Sequence, residues 1–261
     1  MFDILIEIVL PFILSALVVV VVTVIAEKYG TKTGGILGTL PTTIIIAFAF
    51  IALKQDVDFA SNAVAVVPAE MGVNLVFLCV FAILAFRSTI LALTGSFIVW
   101  IGLTLVLYFW NLQNIYISLI IFTVAMVSTF LILEKKYKIE SIGKKAVHYT
   151  PSKIILRGVL TGVIISIAVM LSNFGEVLSG IFTVFPAILT STMLITIHEH
   201  GPKFSAGMAK SMILGCWSVM SYAAIIHFSY PAYGILWGSV IAYVAAVIVT
   251  IVILKLKNKI S

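Results

Sequence analysis

The stretch that decides the fold runs from Ser179 to Gly215 and reads SGIFTVFPAILTSTMLITIHEHGPKFSAGMAKSMILG. Two hydrophobic segments meet in it at the short polar turn around Gly201. The first segment carries Pro186 about two turns from its start, and the second carries Lys210 among small and apolar residues. Long apolar segments of this kind predict helices that cross a membrane.

The composition of the whole chain agrees with this prediction. Of 261 residues, 62% are hydrophobic and 10% are charged, whereas soluble domains are about a quarter charged. Apolar runs of about 20 residues predict spanning helices instead of barrel strands, which are about 10 residues long. The fold class is therefore an all-α polytopic membrane protein. Cys79 and Cys216 lie in apolar segments and indicate neither a disulfide framework nor a metal cluster.

Hydropathy predicts nine transmembrane helices, joined by short connections except for the basic one from Glu134 to Ser152. The first apolar run has no basic segment before it and is interpreted as a span, not as a cleaved signal. The predicted spans are 6–26, 34–54, 59–86, 88–110, 114–133, 152–173, 178–198, 204–228 and 232–255.

The basic residues predict the orientation. Of the 16 lysines and arginines, all but Lys54 and Lys210 fall in alternate connections, or at the helix ends beside them, on one side. The positive-inside rule places this side in the cytoplasm. We therefore expect a multi-pass protein of the cell membrane with its N-terminus outside and its C-terminus in the cytoplasm.

A repeat with an offset of 145 residues relates the two halves. Gly35 precedes Pro41 as Gly180 precedes Pro186, and the same offset maps span 1 onto span 6 and span 4 onto span 9. The predicted organisation is a four-helix repeat in 1–111, a linker helix with the basic loop in 112–151, and a second repeat in 152–261. Because an odd number of spans separates the two starts, the second repeat is inverted, as in many secondary transporters.

The four-plus-one-plus-four plan resembles that of fused relatives of small four-helix dual-topology proteins, such as the small multidrug and fluoride-channel families. It also loosely resembles that of the drug/metabolite transporters. The resemblance covers the plan of the whole chain and no motif, so it assigns no residue a role.

Glu70 and Lys210 are the two clearest charges placed deep in spans, and spans 3 and 8 correspond in the repeat. Ionisable residues inside a membrane are costly and are functional candidates. Their depths predict that the two side chains can pair, directly or through a bound solute, while Asn74 shares the helix face of Glu70. Two alternatives are a salt bridge that only locks two helices and a lysine that extends to the inner interface.

Pro41 and Pro186 interrupt two spans at corresponding places, which predicts a binding site near the middle of the membrane. Hydroxyl groups close to the prolines could coordinate a cation or bind a solute. Alternatively, they satisfy the interrupted backbone or permit close helix packing. These hydroxyl residues are Thr39, Thr42, Thr43, Thr183, Thr190 and Ser191.

The sequence His198-Glu199-His200 suggests a metal site at first. Neighbouring residues on a helix point in different directions, and zinc motifs on helices use i, i+4 spacing. We therefore expect no metal here and consider His198 and His200 as candidates for a gate or for a path by which protons enter.

These features predict a secondary transporter of a small solute or ion that works by alternating access. One alternative is an ion channel with the same plan, and another is a lipid-handling membrane protein. No catalytic constellation and no cofactor motif are found, so an enzyme is not expected. The expected partners are the solute or ion and anionic lipid headgroups at the basic cytoplasmic loop. A homodimer stays open, and nucleic acid is not expected.

Overall fold

The structure is a computed structural model that describes residues 4–28, 40–140 and 150–260. These residues form ten α-helices and no β-strand, which confirms the all-α prediction. Two π-helical turns, Leu5–Val9 and Ile132–Lys136, extend α1 and α6. The helices are α1 (Leu10–Lys28), α2 (Thr42–Lys54), α3 (Val57–Val64), α4 (Val67–Leu84), α5 (Thr89–Trp110), α6 (Ile115–Leu131), α7 (Pro151–Leu171), α8 (Glu176–Thr183), α9 (Ala187–Gly215) and α10 (Trp217–Ile260).

Most of these helices are long and apolar enough to cross a bilayer. Six helical stretches of the described part of the chain meet that condition, whereas α2, with 13 residues, is shorter than a full span. The protein is therefore membrane-embedded and helical, while the count of nine spans stays a prediction. The six stretches are Glu7–Val24, Val57–Leu84, Thr89–Trp110, Ile115–Lys136, Pro151–Phe174 and Glu176–Lys255.

Helix α9 bends back on itself at Gly201, whose φ of 79° and ψ of 177° are not helical. The hydroxyl groups of Thr196 and Ser205 lie 2.9 Å apart, although nine residues of straight helix rise by about 13.5 Å. The α9 helix is thus a hairpin with arms 187–200 and 202–215. The positive φ at the bend explains the glycine, because other residues rarely adopt it.

Helix α10 contains the same kind of bend. Gly234 has a φ of 71° and a ψ of −177°, and the hydroxyl groups of Tyr230 and Ser239 lie 2.9 Å apart across it. The arms are 217–233 and 235–260. The 80-residue stretch from Glu176 to Lys255 is therefore several helical segments and not one rod.

Helices α1 and α7 pack closely and run antiparallel. A methyl group on Gly158 would lie 3.1 Å from the carbonyl oxygen of Ala16, and Ser166 donates to the carbonyl of Ile8 at 2.9 Å. Residue numbers thus rise along one helix as they fall along the other. Small residues at the interface, including Gly162, permit this close backbone approach.

Each half of the chain contains an ion pair at a corresponding place. Glu7 and Lys54 lie 2.9 Å apart, and Lys153 pairs with Glu199. Lys54 and Glu199 stand 145 positions apart, and Glu7 and Lys153 stand 146 apart. In each half, the start of the first helix is therefore joined to the end of the second, with the charges reversed.

The α3–α4 segment forms the centre of the bundle. In the most hydrophobic 18-residue window of Val57–Leu84, 83% of residues are buried, against 28% for each of Thr89–Trp110 and Ile115–Lys136. Because α5 and α6 expose most of their apolar side chains, they form part of the surface that faces lipid. Residues on α4 are thus the ones best placed to line an interior site.

Candidate functional site

Pro41 and Pro186 break the helical backbone with nearly the same geometry. Pro41 has a φ of −76° and a ψ of 42°, and Pro186 has a φ of −76° and a ψ of 36°. A proline lacks the N–H that a continuous helix needs. Helix α2 accordingly begins directly after Pro41, and α9 directly after Pro186.

The hydrogen bonds around the two prolines also correspond. The Thr42 N–H donates to the Leu40 carbonyl at 2.7 Å, and the Ala187 N–H donates to the Phe185 carbonyl at 2.8 Å. A bond between residues i and i+2 marks an inverse γ-turn. The predicted kinks are therefore short turns that replace helical hydrogen bonds.

The two turns meet at a central cavity of about 80 Å³. Many of its lining residues form pairs that stand 145 positions apart in the sequence. These pairs are Leu40 with Phe185, Thr43 with Ile188, Ile44 with Leu189, Met71 with Cys216, and Asn74 with Val219, and the remaining lining residues are Pro41, Thr183 and Val184.

Asn74 is the main polar group of the central cavity. Its side chain is 1% exposed, and its Nδ2 donates to the carbonyl of Val184 at 2.7 Å. That carbonyl lies between α8 and α9, where the helix is interrupted. The Oδ1 atom of Asn74 is buried and has no hydrogen-bond partner among the described residues. Asn74 thus holds the broken segment in place and leaves one acceptor for a ligand.

Glu70 lies one helical turn before Asn74 on α4 and is fully buried. Thr104 donates to its Oε1 at 2.8 Å, while within the described part of the chain Oε2 has no hydrogen-bond partner. The neighbouring residue Met71 lines the central cavity, whereas Glu70 lies behind the residues that line it. The carboxyl group is therefore positioned to bind a proton or a cation close to the cavity.

Aromatic rings connect Glu70 to the broken segment. The indole of Trp100 lies beside the Glu70 carboxyl group, and the same ring packs edge-on against Phe185 with centroids 5.1 Å apart. Phe185 belongs to the turn at Pro186 and lines the cavity. A change at Glu70 can thus reach the turn through two packed rings.

The direct pairing of Glu70 with Lys210, one of the predicted arrangements, is wrong. Lys210 forms an ion pair with Glu134 and donates to the carbonyl of Ile139 at 2.6 Å. The flexible lysine stem carries the charge towards the end of the bundle, where the Glu134 side chain is 48% exposed. Pairing there costs less desolvation than pairing beside the fully buried Glu70. Lys210 therefore joins α9 to the segment that follows α6.

The predicted hydroxyl groups divide into two sets. Thr43 and Thr183 line the central cavity, whereas Thr190 and Ser191 line a second cavity beside α7. Thr183 and Ser191 donate to carbonyl groups of their own helices, in agreement with the backbone-satisfying alternative. Thr42 is half-buried after Pro41. Thr39 lies outside the described residues.

The two histidines lie beside the bend at Gly201. His198 is exposed, while the half-buried ring of His200 packs against Phe204 with centroids 4.4 Å apart. Glu199, between them, is engaged with Lys153. Where the chain is described, no group of three metal-binding side chains is close enough to hold an ion. A gate or proton path at these histidines stays a prediction.

A cleft of about 540 Å³ lies at the end of the molecule where α8 begins. In it, Glu176 accepts hydrogen bonds from Asn62 at 3.1 Å and from Gln113 at 2.6 Å. Below the cleft, α3 and α8 are in backbone contact, because a methyl group on Gly180 would lie 2.0 Å from the Ala63 carbonyl oxygen. Along α8, Gly180 lies between Glu176 in the cleft and Thr183, which precedes the turn.

The sequence reasoning missed several residues of the site. Met71, Cys216 and Val219 line the central cavity, and each of them stands at the repeat offset from another lining residue. Applying the offset of 145 to Asn74 would have identified Val219. No sequence signal separates Trp100 from the other aromatic residues of the spans.

Comparison with protein-family models, with curated proteins and with solved structures finds no match. The assignment of the site therefore depends on its geometry.

Proposed function

We propose that this chain is a secondary transporter of a small solute or ion that works by alternating access between two inverted four-helix repeats. The central cavity between Pro41 and Pro186 is the transport site. Asn74 binds the solute, and Glu70, which lies behind the cavity wall, binds the coupling proton or cation.

One observation carries the proposal, namely that the cavity is lined by residue pairs at a constant offset of 145. A two-fold axis between two inverted repeats brings equivalent residues to the same place. Such a cavity can open to one face when one repeat moves, and to the opposite face when the other repeat makes the same motion. The pairing is not chemically symmetric, because Asn74 corresponds to Val219 and Thr43 corresponds to Ile188 in the repeat.

The antiparallel packing of α1 and α7 supports the inverted arrangement, because both are first helices of the proposed repeats. The reversed ion pairs support it as well. With the N-terminus outside, the Glu7–Lys54 pair lies at the outer face and the Lys153–Glu199 pair at the cytoplasmic face. The bends at Gly201 and Gly234 divide the two long helices, as a count of nine spans that includes the linker helix requires.

The size of the cavity limits the solute in this conformation. About 80 Å³ holds a few water-sized groups, since a water molecule occupies about 30 Å³ in the liquid. Drug-sized ligands occupy sites of about 300–1,000 Å³. The transported species is therefore an ion or a compact solute, unless the cavity expands on opening.

Cys216 offers a direct test because it lines the cavity and is fully buried. In a Cys79→Ala variant it is the sole thiol, and a membrane-impermeant thiol reagent reports when the cavity opens. The reagent is applied to reconstituted vesicles from each side in turn, and ion conductance is recorded in parallel. The matched control is Cys216→Ala, whose remaining thiol, Cys79, is buried away from the cavity lining.

Alternating access predicts that Cys216 is labelled from either side and that the membranes stay non-conducting, while Cys79 stays unlabelled. Labelling that accompanies a steady ionic current would identify the channel alternative instead. Cys216 that resists the reagent from both sides would show a solidly packed centre and would refute the transport site.

A further inference from the structure

The cleft in which Glu176 lies has no assigned ligand in the proposed transport cycle. Its volume is about 540 Å³, within the range of about 300–1,000 Å³ that is usual for sites of small organic ligands. The central cavity, at about 80 Å³, is too small in this conformation for a ligand that fills the cleft. Such a ligand is thus not the species that the central cavity holds.

Glu176 places a carboxylate without a positively charged partner in this cleft. Its Oε1 accepts from Asn62 at 3.1 Å, and its Oε2 accepts from Gln113 at 2.6 Å. Both donors are neutral amides, and among the described residues Glu176 forms no ion pair. The amides therefore fix the position of the carboxylate and leave its charge in place.

The charges around the cleft are also negative. Asp56 accepts, at 2.7 Å, from the N–H of Phe59, which lines the cleft. Lys54 is the one lysine or arginine in the described segments that form and flank the cleft, and it is paired with Glu7. The N-terminus of α8 offsets at most about half of one negative charge. The cleft therefore favours a cation over an anion. The segments are 54–59, 108–113 and 172–178.

Aromatic side chains from three parts of the fold line the cleft together with Glu176. Phe59 belongs to α3, Tyr108 and Phe109 lie near the end of α5, and Phe174 follows α7. Exposed aromatic rings are common at a membrane interface. Beside a carboxylate they can also contribute to binding a cation, because the face of an aromatic ring attracts positive charge.

We propose that this cleft binds an organic ammonium ion whose nitrogen carries alkyl groups. The positive charge lies against the Glu176 carboxylate, and the alkyl groups contact the aromatic side chains. A divalent metal ion would need several oxygen ligands in place of the rings. A soluble ammonium ion and the choline headgroup of a lipid share the required chemistry. The proposal does not rest on the transport function.

Isothermal titration calorimetry of the full chain in uncharged detergent micelles tests the proposal. Choline is compared with its neutral carbon analogue, 3,3-dimethylbutanol, which has the same shape and no charge. We expect saturable binding of choline and about tenfold weaker binding of the alcohol, as the loss of one cation–π contact would give.

Glu176→Gln should reduce the affinity for choline to that for the alcohol, because the variant keeps the size of the side chain and removes its charge. Glu140→Gln is the matched control. It removes the same charge from an exposed ion pair with Lys203 outside the cleft lining and should change nothing.

Phe174→Leu provides a second variant, because the Phe174 side chain is 75% exposed and its replacement should retain the fold. It should weaken choline binding severalfold and leave binding of the alcohol unchanged. Equal affinities for choline and the alcohol, or unchanged choline binding in either variant, would overturn the proposal. Potassium that competes as strongly as choline would also overturn it, because it would identify a site for inorganic cations.

The source of the ligand is determined by repeating the choline titration with phosphatidylcholine in the micelles. Loss of choline binding would identify the lipid headgroup as the occupant, and unchanged binding would identify a soluble ammonium ion. Both results support a site for alkylated ammonium groups. Absence of saturable choline binding in the micelles without phosphatidylcholine would refute it.

Discussion

At the scale of single residues, Glu70 and Lys210 illustrate two different roles of a charged side chain in a membrane protein. Lys210 extends to Glu134 and joins two elements at the end of the bundle. Glu70 stays at the middle of the α3–α4 segment with one hydroxyl donor, Thr104, and a second oxygen without a partner among the described residues. Burying an ionisable group in this way costs free energy, so Glu70 is a functional candidate. The charge of Lys210, which is paired near the surface, has a structural explanation.

Glu70→Gln should remove the part of the pH dependence of Cys216 labelling that arises from Glu70, while the intrinsic dependence on the thiolate stays and the fold is kept. Glutamine has nearly the same size, and its carbonyl oxygen can still accept from Thr104, so the free energy of unfolding should change by only about 1 kcal/mol. The measurement compares labelling rates across neutral pH in the Cys79→Ala background, with thermal unfolding recorded for both proteins. Glu134→Gln is the control, because Glu134 pairs with Lys210 outside the cavity lining. An unchanged pH profile in Glu70→Gln would remove Glu70 from the coupling role.

At the scale of elements, the transport proposal makes the contact between α3 and α8 a barrier between the Glu176 cleft and the central cavity. The two helices touch at their backbones, with Gly180 against Ala63. Helix α8 ends at Thr183, only a few residues before the turn at Pro186. Movement of α8 away from α3 would therefore open the cleft and shift the broken segment together.

Gly180→Ala should push these helices apart. The added methyl group would lie 2.0 Å from the Ala63 carbonyl oxygen and 2.8 Å from Cγ1 of Val66, and overpacking of this kind costs about 1–3 kcal/mol. We expect a lower melting temperature and faster labelling of Cys216. Gly102→Ala is the matched control, because no atom lies within 4 Å of its added methyl group. If the two variants behave alike, the α3–α8 contact does not close the route.

At the scale of the whole molecule, the two ion pairs relate the halves more directly than the sequence identities do. Each pair fastens the first helix of a half to the end of the second, and the charges are exchanged between the halves. The proposed inversion would account for the exchange, because the positive-inside rule favours lysine at the cytoplasmic end of a first helix and disfavours it at the outer end.

Exchanging the charges of the first pair, Glu7→Lys with Lys54→Glu, should therefore retain the fold. Either single change places like charges together and should cost on the order of 2 kcal/mol, between the values for surface and buried pairs. The double change should recover most of this loss but not all, because Lys54 also donates to the Val169 carbonyl at 3.3 Å. Thermal unfolding of the three variants in detergent gives the interaction free energy between positions 7 and 54. Additive losses in the double variant would contradict a specific pair.

The sequence by itself determined the membrane class, the all-α fold, the positions of the two proline breaks and the offset that relates the cavity residues. The sequence is sufficient for these features, because hydropathy and the missing N–H of proline are properties of the residues themselves and do not depend on tertiary contacts. The tertiary structure alone decided that Lys210 contacts Glu134, that Arg157 is buried beside Thr192, and that Met71 and Cys216 meet at one cavity. Those outcomes depend on the depth and rotation of each helix in the bundle. Side-chain packing between distant segments sets both quantities, and hydropathy does not encode them.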